Sequence, residues 1–279
     1  MSPRRASLAL AASFAFVAAC GGSGGGSSNG TGGAGGMGGA SSGPSGPAGP
    51  GSGAGSSAGG APGTTSTGTG NVDPSCTSDT TQHGGDATYY DADGSGNCSF
   101  DPSPNDLMVG AMNHVDYAAS AVCGGCVHMK GPSGEATIRI VDQCPECNQG
   151  DIDLSMLAFS KLADPSLGRV HIDWTYVACD VTGPIVYHFK EGSNPYWTAV
   201  QIRNARYMID KFEVMKNGAF QAVDRVDYNF FVDASGMGPG PYTFRVTDVK
   251  GHVLTDSNVP FVDAGDAPGA AQFPVCQGD

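Results

Sequence analysis

Asp153 is a carboxylate between two apolar residues, Ile152 and Leu154, with further acids nearby at Asp142 and Asp151. Partial burial and like-charge neighbours both raise the pKa of a carboxyl group. The pattern predicts a side chain that stays protonated at mildly acidic pH and donates a hydrogen bond to a glycosidic or hydroxyl oxygen. A second interpretation needs no such chemistry, because a carboxylate at this position could instead cap the helix that follows.

Nine cysteines are a second source of chemistry. If Cys20 carries a lipid, an even set of eight remains: Cys76, Cys98, Cys123, Cys126, Cys144, Cys147, Cys179 and Cys276. An even number in an exported chain favours disulfides, although the two Cys-x-x-Cys pairs leave a zinc site as the alternative. The six histidines show no metal-ligand spacing, and we expect neither a metal nor a cofactor.

The charge of the chain bears on its partners. Residues 71–183 contain sixteen acidic and four basic side chains, and residues 184–279 contain eleven acidic and eight basic ones. Such an acidic surface repels the phosphates of nucleic acids and disfavours polyanionic sugars such as pectin. A neutral polymer is therefore the expected partner, and nucleic acid is not.

The N-terminal quarter of the chain has the composition of an export signal and a tether. Two arginines precede an apolar run, Ala6–Ala19, that is short for a transmembrane helix. The run ends in two alanines and Cys20, which resembles a bacterial lipobox. We expect a lipoprotein signal peptide over residues 1–20 with lipidation at Cys20, a plain signal peptide being the alternative. Residues 21–71 are almost entirely small and uncharged, which predicts a disordered linker.

Residues 72–182 have the pattern of a mainly β domain. Val127–Met129 and Thr137–Val141 alternate as half-buried strands do, with a Gly-Pro-Ser-Gly turn between them. A short helix is expected after Asp153, followed by another alternating strand over His171–Val177, whose tryptophan we expect in the core. The pattern predicts a small β-barrel.

A break near Gly183 begins a second domain, residues 183–279. Six apolar runs separated by turns predict an antiparallel β-sandwich. These runs are Ile185–Lys190, Thr198–Asn204, Met208–Met215, Phe220–Val223, Tyr242–Asp248 and Val253–Thr255.

Short motifs occur in a fixed order across both domains. The first set is Gly85–Tyr90, Gly96–Ser99, Ala111–Asn113, Cys123–Cys126, Ile140–Cys147, Asp151–Ser155, Ala158–Phe159 and Ile172–Trp174. It resembles the first domain of expansins, a six-stranded double-ψ β-barrel similar to family-45 glycoside hydrolases. The second set is Tyr187–Ser193, Tyr196–Trp197, Val200–Asn204, Val226–Asn229 and Arg245–Asp248. It resembles the second expansin domain, an immunoglobulin-like β-sandwich that binds carbohydrate.

The resemblance implies a substrate groove in the barrel. Asp153 matches the general acid of the related hydrolases, Asp142 lies near it, and Thr88 lines the same groove. Expansins lack the second carboxylate that those hydrolases use as a base, which an inverting enzyme places roughly 6.5–9.5 Å from the acid. Asp91 and Asp93 fall near that position here, and we expect both to be surface acids.

The resemblance to disulfide-bearing expansins implies the pairs Cys98–Cys123 and Cys126–Cys179. Cys144 would then pair with Cys147, and arithmetic alone leaves Cys76 for Cys276. Related bacterial proteins have an aromatic residue at the position of Cys144. A rigid Cys144–Cys147 loop would therefore replace a stacking contact in the groove.

The resemblance also implies an aromatic binding surface on the second domain, formed by Tyr196, Trp197 and Tyr228 with Lys190 nearby. Flat rings on one face can stack on successive pyranose rings. Adjacent residues in a regular strand point to opposite faces, so Tyr196 and Trp197 can share a face only if a turn or bulge follows Asn194-Pro195.

The sequence thus predicts an exported, monomeric protein that binds cellulose or a related neutral wall polysaccharide and loosens it without hydrolysis. Its membrane contact would be only a lipid anchor in the outer membrane or at the cell surface. One alternative is an enzyme that uses Asp153 as its acid, either a weak endoglucanase or a lytic transglycosylase acting on peptidoglycan. The other is a carbohydrate-binding adhesin in which the barrel is an inert spacer.

Overall fold

The structure is a computed structural model, and it describes residues 72–279 of the chain. The predicted signal peptide, the lipidation at Cys20 and the linker over 21–71 lie outside the described residues. Residues 72–279 belong to one compact unit. Within this range, neither α-helix has the length and hydropathy needed to cross a membrane.

The N-terminal part is a closed six-stranded barrel, which confirms the predicted fold class. The first strand of the described chain, β1 (Val72–Thr77), precedes it. The barrel strands are β2 (His83–Tyr90), β3 (Val109–Asn113), β4 (Cys126–Lys130), β5 (Glu135–Cys144), β6 (Ile152–Ser155) and β7 (Val170–Val177). They close in the order β2-β6-β3-β5-β4-β7. Both parallel and antiparallel neighbours occur, since β6 runs parallel to β2 and antiparallel to β3.

Two short helices connect the barrel strands, α1 (His114–Tyr117) and α2 (Met156–Leu162). The second follows Asp153 as predicted, and its N-cap is Ser155, whose Oγ accepts a hydrogen bond from the backbone N–H of Ala158. Its apolar face packs into the barrel core, where Trp174 is also buried and donates through Nε1 to a backbone carbonyl.

The C-terminal part is a sandwich of two four-stranded antiparallel sheets, as predicted. Its strands are β8 (Val186–Phe189), β9 (Thr198–Arg203), β10 (Ile209–Lys216), β11 (Ala219–Val223), β12 (Phe231–Asp233), β13 (Tyr242–Asp248), β14 (Val253–Val259) and β15 (Asp266–Pro268). One sheet has the order β11-β10-β13-β14 and the other β12-β9-β8-β15. Phenylalanine and tyrosine rings from both sheets meet in a single apolar core between them.

The ends of the described chain are joined to each other. β1 pairs in parallel with the last strand, β16 (Val275–Gln277). Residues 72–77 fall in the range assigned above to the barrel, but in the structure they pair with a strand that follows the sandwich. Among residues 72–279 there are four disulfides, and their pairs coincide with those expected from the family resemblance and, for the first, from arithmetic: Cys76–Cys276, Cys98–Cys123, Cys126–Cys179 and Cys144–Cys147.

Candidate functional site

Four barrel residues form one row across neighbouring strands. Thr88 pairs with Asp153 between β2 and β6, and Asp153 pairs with Ala111 between β6 and β3. Ala111 also pairs with Asp142 between β3 and β5. Because neighbouring strands lie about 4.8 Å apart, the two aspartate backbones are roughly 10 Å apart. The barrel thus brings together the three residues that the sequence assigned to the groove.

Asp153 is half-buried, and its carboxylate Oδ1 accepts a hydrogen bond of 2.5 Å from the Thr88 hydroxyl. Burial raises its pKa above the usual value, and the negative charges of Glu146 and Asp142 add to this effect. The hydrogen bond from Thr88 acts in the opposite direction without reversing the shift. Since Ser155 caps α2, Asp153 is free of the capping role that was the alternative.

Asp142 has a different environment from Asp153. Its Oδ1 accepts backbone N–H groups from Asn97, at 2.6 Å, and from Gln143, at 2.8 Å. Gly96 approaches so closely that an added Cβ would overlap the Asp142 carboxyl group. These contacts fix the carboxylate in place, so Asp142 can serve as an oriented acceptor beside Asp153.

Tyr90 completes the groove and was missed in the sequence. It lies two residues after Thr88 on β2, so its side chain is on the same face of the strand. Its hydroxyl is buried and has no hydrogen-bond partner among the described residues. Burial, followed by the charges of Asp142 and Asp153, raises its pKa. The spacing of two from Thr88 was the signal that could have identified it.

Asp91 and Asp93, the two possible bases, are both exposed. The Asp93 carboxylate accepts hydrogen bonds from the Ser95 hydroxyl and backbone N–H, at 2.6 and 2.9 Å, within its own loop. These bonds lower its pKa. Neither aspartate belongs to the row formed by Thr88, Asp153 and Asp142.

The Cys144–Cys147 disulfide closes a four-residue loop at the end of β5. Glu146 is exposed within this loop, and its charge is among those that raise the pKa of Asp153. The loop therefore holds a negative charge near enough to Asp153 to act on its pKa.

On the second domain, Tyr196 and Trp197 lie in a tight turn ahead of β9. The backbone N–H of Trp197 donates to the Asn194 carbonyl at 3.2 Å, and that of Asn194 donates to the Trp197 carbonyl at 2.7 Å. Tyr196 is 82% exposed, while Trp197 is half-buried. The turn removes the strict alternation that would place the two rings on opposite faces.

Phe230 brings Tyr228 and Lys190 together. Its ring centroid lies 6.1 Å from that of Tyr228 and 5.5 Å from the Lys190 Nζ. Phe231, the next residue, points into the sandwich core, so Phe230 lies on the outer face of the sheet. We call Tyr196, Trp197, Tyr228 and Lys190 the aromatic shelf. Phe230 supports two of its members. It follows Tyr228 through a turn, so no strand alternation indicated it.

Asn97 connects the groove with the aromatic shelf. Its backbone N–H donates to Asp142, and its side-chain amide donates to the Asp227 carbonyl at 3.0 Å and to the Tyr117 hydroxyl at 2.9 Å. The Tyr117 hydroxyl also donates to the Asp227 carbonyl, at 3.0 Å. Asp227 immediately precedes Tyr228, so a single residue spans the distance between the groove carboxylate and the shelf.

Buried polar contacts extend this junction between the domains. Gln201, on the outer face of β9, is fully buried and donates to the Cys98 carbonyl at 2.7 Å. Arg203 forms an ion pair with Asp101 at 2.6 Å. The barrel thus covers the outer face of β9 at Gln201, and contacts Asp227 next to Tyr228.

Comparisons with known proteins agree with this architecture. A family model described as lytic transglycolase matches residues 82–174, which span the barrel. Expansin-YoaJ from Bacillus subtilis is 35% identical over 202 residues, covering 69% of this chain and 87% of that protein. Expansin-like protein 1 from Dictyostelium discoideum is 29% identical over 185 residues, covering 61% and 64%.

Among solved structures, the chain is similar to the expansin of Clavibacter michiganensis. A mutant of that protein in complex with cellohexaose superposes with a TM-score of 0.66 at 30% identity. The match covers 70% of this chain and all of that one. The similarity therefore extends over barrel and sandwich together.

Proposed function

The chain belongs to the expansin family, and on that premise we propose that it binds cellulose-like glucans and loosens their packing without cutting them. The aromatic shelf holds a glucan chain by stacking. The groove around Asp153 takes hydrogen bonds that the chain would otherwise make with its neighbours. No energy source is required, since each hydrogen bond is exchanged for another.

The observation that supports this proposal best is the link through Asn97. A glucan chain lying on Tyr228 continues past Asp227 and Asn97 to Asp142 and the groove. Stacking and hydrogen bonding then act on the same polymer strand. The Clavibacter michiganensis expansin was solved with cellohexaose, which supports a linear β-glucan as the ligand proposed here.

The roles of the carboxyl groups follow from their surroundings. Asp153, with its raised pKa, is the donor to a sugar oxygen. Asp142 is an acceptor already oriented by two backbone N–H groups. Asp93 is engaged within its own loop, which supports a mechanism without a catalytic base.

Asp153→Asn tests the proposal directly, because the amide keeps the shape of the side chain but lacks the acidic O–H that the protonated carboxyl donates to a sugar oxygen. We expect cellulose binding to persist and the extension of heat-inactivated, cellulose-rich walls under constant load to fall at least tenfold. Asp173→Asn, at an exposed aspartate on β7, is the matched control and should leave extension unchanged. Undiminished extension by the Asp153 variant would favour the adhesin in which the barrel is inert.

A hydrolytic function is the alternative, favoured by the family model described as lytic transglycolase and by the exposed Glu146 near Asp153. Release of reducing ends from amorphous cellulose, or of soluble fragments from peptidoglycan, would support it. We expect the unaltered protein to release no more of either product than the Asp153→Asn variant does. Pull-down with cellulose, xylan and peptidoglycan then ranks these polymers by how strongly the protein binds them.

Export and lipid anchoring are part of the proposal. Disulfides are stable in an oxidising compartment outside the cytoplasm, which supports secretion. Metabolic labelling with a fatty acid tests the anchor, since Cys20→Ser should abolish incorporation and release the protein from the membrane fraction. We further expect a monomer by light scattering.

A further inference from the structure

A buried imidazole lies beside the disulfide that joins the two ends of the described chain. The His252 side chain is 8% exposed, and its Nε2 lies 3.2 Å from the Cys76 Sγ. The same Nε2 lies 3.4 Å from a carboxylate oxygen of Asp73. Cys276 completes the group, and one donor atom each from Cys76, Cys276 and His252 lie within 4.8 Å of one another.

Asp248 fixes the orientation of the His252 imidazole. Its Nδ1 lies 2.7 Å from Oδ2 of Asp248, whose side chain is completely buried. Oδ1 of Asp248 accepts the backbone N–H groups of Lys250 and His252, each at 2.9 Å. A carboxylate in such a network can only accept, so Nδ1 donates to Asp248 and Nε2 is the ring nitrogen that faces the Cys76 sulfur and Asp73. Histidines that bind metals are held in this way, with the second ring nitrogen donating to a carboxylate.

We propose that Cys76, Cys276 and His252 form a zinc site when the disulfide between the two cysteines is reduced. Two thiolates and one imidazole are ligands that Zn²⁺ takes in tetrahedral sites, and Asp73 is placed to supply the fourth. None of the functions proposed above depends on this site.

The chemistry balances with a dithiol as reductant. The dithiol gives two electrons and two protons to the Cys76–Cys276 bond and becomes a disulfide, leaving two cysteine thiols. Zn²⁺ then displaces one proton from each thiol and binds the two sulfurs and Nε2. The Zn–S distance in such sites is about 2.3 Å, so the two sulfurs must move apart for the ion to bind between them.

The site would preserve the pairing of β1 with β16. Asp73 and Cys276 are register partners in that pair, and Cys76 lies in the same strand as Asp73. His252 belongs to the turn between β13 and β14 of the sandwich. A metal held by these residues would cross-link the same three segments that the disulfide and its neighbours hold in the oxidised protein.

Cobalt provides a direct test, because Co²⁺ bound by thiolates in a tetrahedral site has characteristic charge-transfer and d–d absorption bands. The variant Cys144→Ser with Cys147→Ser removes the Cys-x-x-Cys pair at the end of β5 and serves as the background. We expect this protein, reduced by a dithiol under nitrogen and then freed of reductant, to bind one equivalent of Co²⁺ with both sets of bands. Zn²⁺ should displace the cobalt and raise the melting temperature of the reduced protein.

Three variants in that background assign the ligands. Cys76→Ser with Cys276→Ser should abolish the bands, and His252→Ala should weaken binding and change the d–d spectrum. Asp248→Asn, which alters only the residue behind the imidazole, should weaken binding about 10- to 100-fold. Absence of the bands in the reduced background protein, or their persistence without Cys76 and Cys276, would overturn the proposal.

Discussion

Asp153 gains its proposed chemistry from its position in β6, where burial and nearby charges raise its pKa. A raised pKa means that the folded protein binds this proton more tightly than the unfolded chain does. The resulting contribution to stability is complete below the usual pKa of 3.8 and is lost as pH rises through the folded value. Wall loosening that depends on the protonated carboxyl should likewise decrease as pH rises.

We therefore expect wall extension to be greatest under acidic conditions and to fall about tenfold per pH unit above the pKa of Asp153, in step with the protonated fraction. Extension rates under constant load across a pH series measure this. Asp153→Asn should give a low rate that does not vary with pH over the same range. A slope shared by the variant and the unaltered protein would assign the titration to another group.

The Tyr90 hydroxyl is expected to serve the ligand rather than the fold. A buried hydroxyl without a partner costs free energy, so Tyr90→Phe should leave stability unchanged or raise it by about 1 kcal/mol. Binding of cellohexaose should weaken about three- to tenfold, the worth of one hydrogen bond. Urea unfolding and calorimetric titration measure the two effects.

Tyr89→Phe is the matched control for that prediction. The Tyr89 hydroxyl donates to the Pro165 carbonyl at 3.2 Å and its ring packs on Phe159, away from the groove face. Its loss should lower stability by about 1 kcal/mol and leave ligand binding unchanged. The reverse pattern in the two variants would place the groove on the other face of β2.

Alternation within one strand could have predicted Tyr90, because it lies two residues after Thr88 on β2. Phe230 follows Tyr228 through a turn outside the strands, where no such alternation applies. Glu146 and Asn97 could not be predicted in this way. Glu146 lies in a loop closed by the Cys144–Cys147 disulfide, and Asn97 is positioned by contacts with segments 45 and 130 residues distant. Such contacts depend on the packed fold and have no local pattern.

At the scale of elements, Ser155 separates the strand that carries Asp153 from the helix that follows. Its Oγ accepts the Ala158 N–H and donates to the Leu107 carbonyl at 2.5 Å. Ser155→Ala removes both bonds, so we expect a loss of about 1–3 kcal/mol in the free energy of unfolding by urea. Ser160→Ala, at an exposed serine of the same helix, should stay within about 0.5 kcal/mol of the unaltered protein.

The sandwich sheet that contains β10 and β13 contributes a stability that depends on pH. Glu213 on β10 faces Arg245 on β13 and forms two hydrogen bonds with it, at 2.6 and 2.7 Å. The guanidinium lowers the pKa of Glu213 from 4.5 to about 2. Because the folded pKa is lowered, this pair stabilises the fold above the unfolded value and ceases to do so as pH falls through the folded one.

Glu213→Gln should therefore lower stability at neutral pH by on the order of 1 kcal/mol, after allowance for screening by solvent. The difference from the unaltered protein should vanish as pH falls from 4.5 to about 2. Urea unfolding at a series of pH values measures it. A difference that stays constant with pH would mean that packing, and not the charge, is responsible.

The strands themselves were predictable from local patterns, but their pairing was not. Alternating apolar residues in the sequence indicate β5, β7 and most of the sandwich strands. The barrel, however, depends on β6 running parallel to β2 and antiparallel to β3, across sequence separations of about 65 and 40 residues. Periodicity gives the face of each strand but not its neighbour, so the barrel topology came from the family resemblance.

At the scale of the whole molecule, the chain ends are the least expected feature. The linker and the barrel are neighbours in sequence, and β1 lies between them. Its strand partner is nevertheless β16, and the Cys76–Cys276 bond covalently links residues separated by 200 positions. A short strand of mostly exposed residues has no apolar pattern that would indicate such a partner.

This closure should stabilise the oxidised, metal-free protein more than any other single disulfide. In the chain-entropy account, the stabilisation grows with the length of the loop that the bond closes. The cysteines of the Cys76–Cys276 bond are separated by 200 positions in the sequence, whereas those of the Cys144–Cys147 bond are separated by three. Replacing both cysteines of the long loop by serine should lower the free energy of unfolding by about 2–5 kcal/mol, and the same change in the short loop by clearly less.

Hydrogen exchange can show which segments lose stability when the Cys76–Cys276 bond is removed. Without the Cys76–Cys276 bond, β1 and β16 should lose protection first, followed by the sandwich turn that carries His252. The barrel strands β2 to β7 should keep their protection, because their ladder closes on itself and includes neither chain end. If the barrel instead exchanged first, or if the two double variants were equally unstable, the paired chain ends would not be what holds residues 72–279 together.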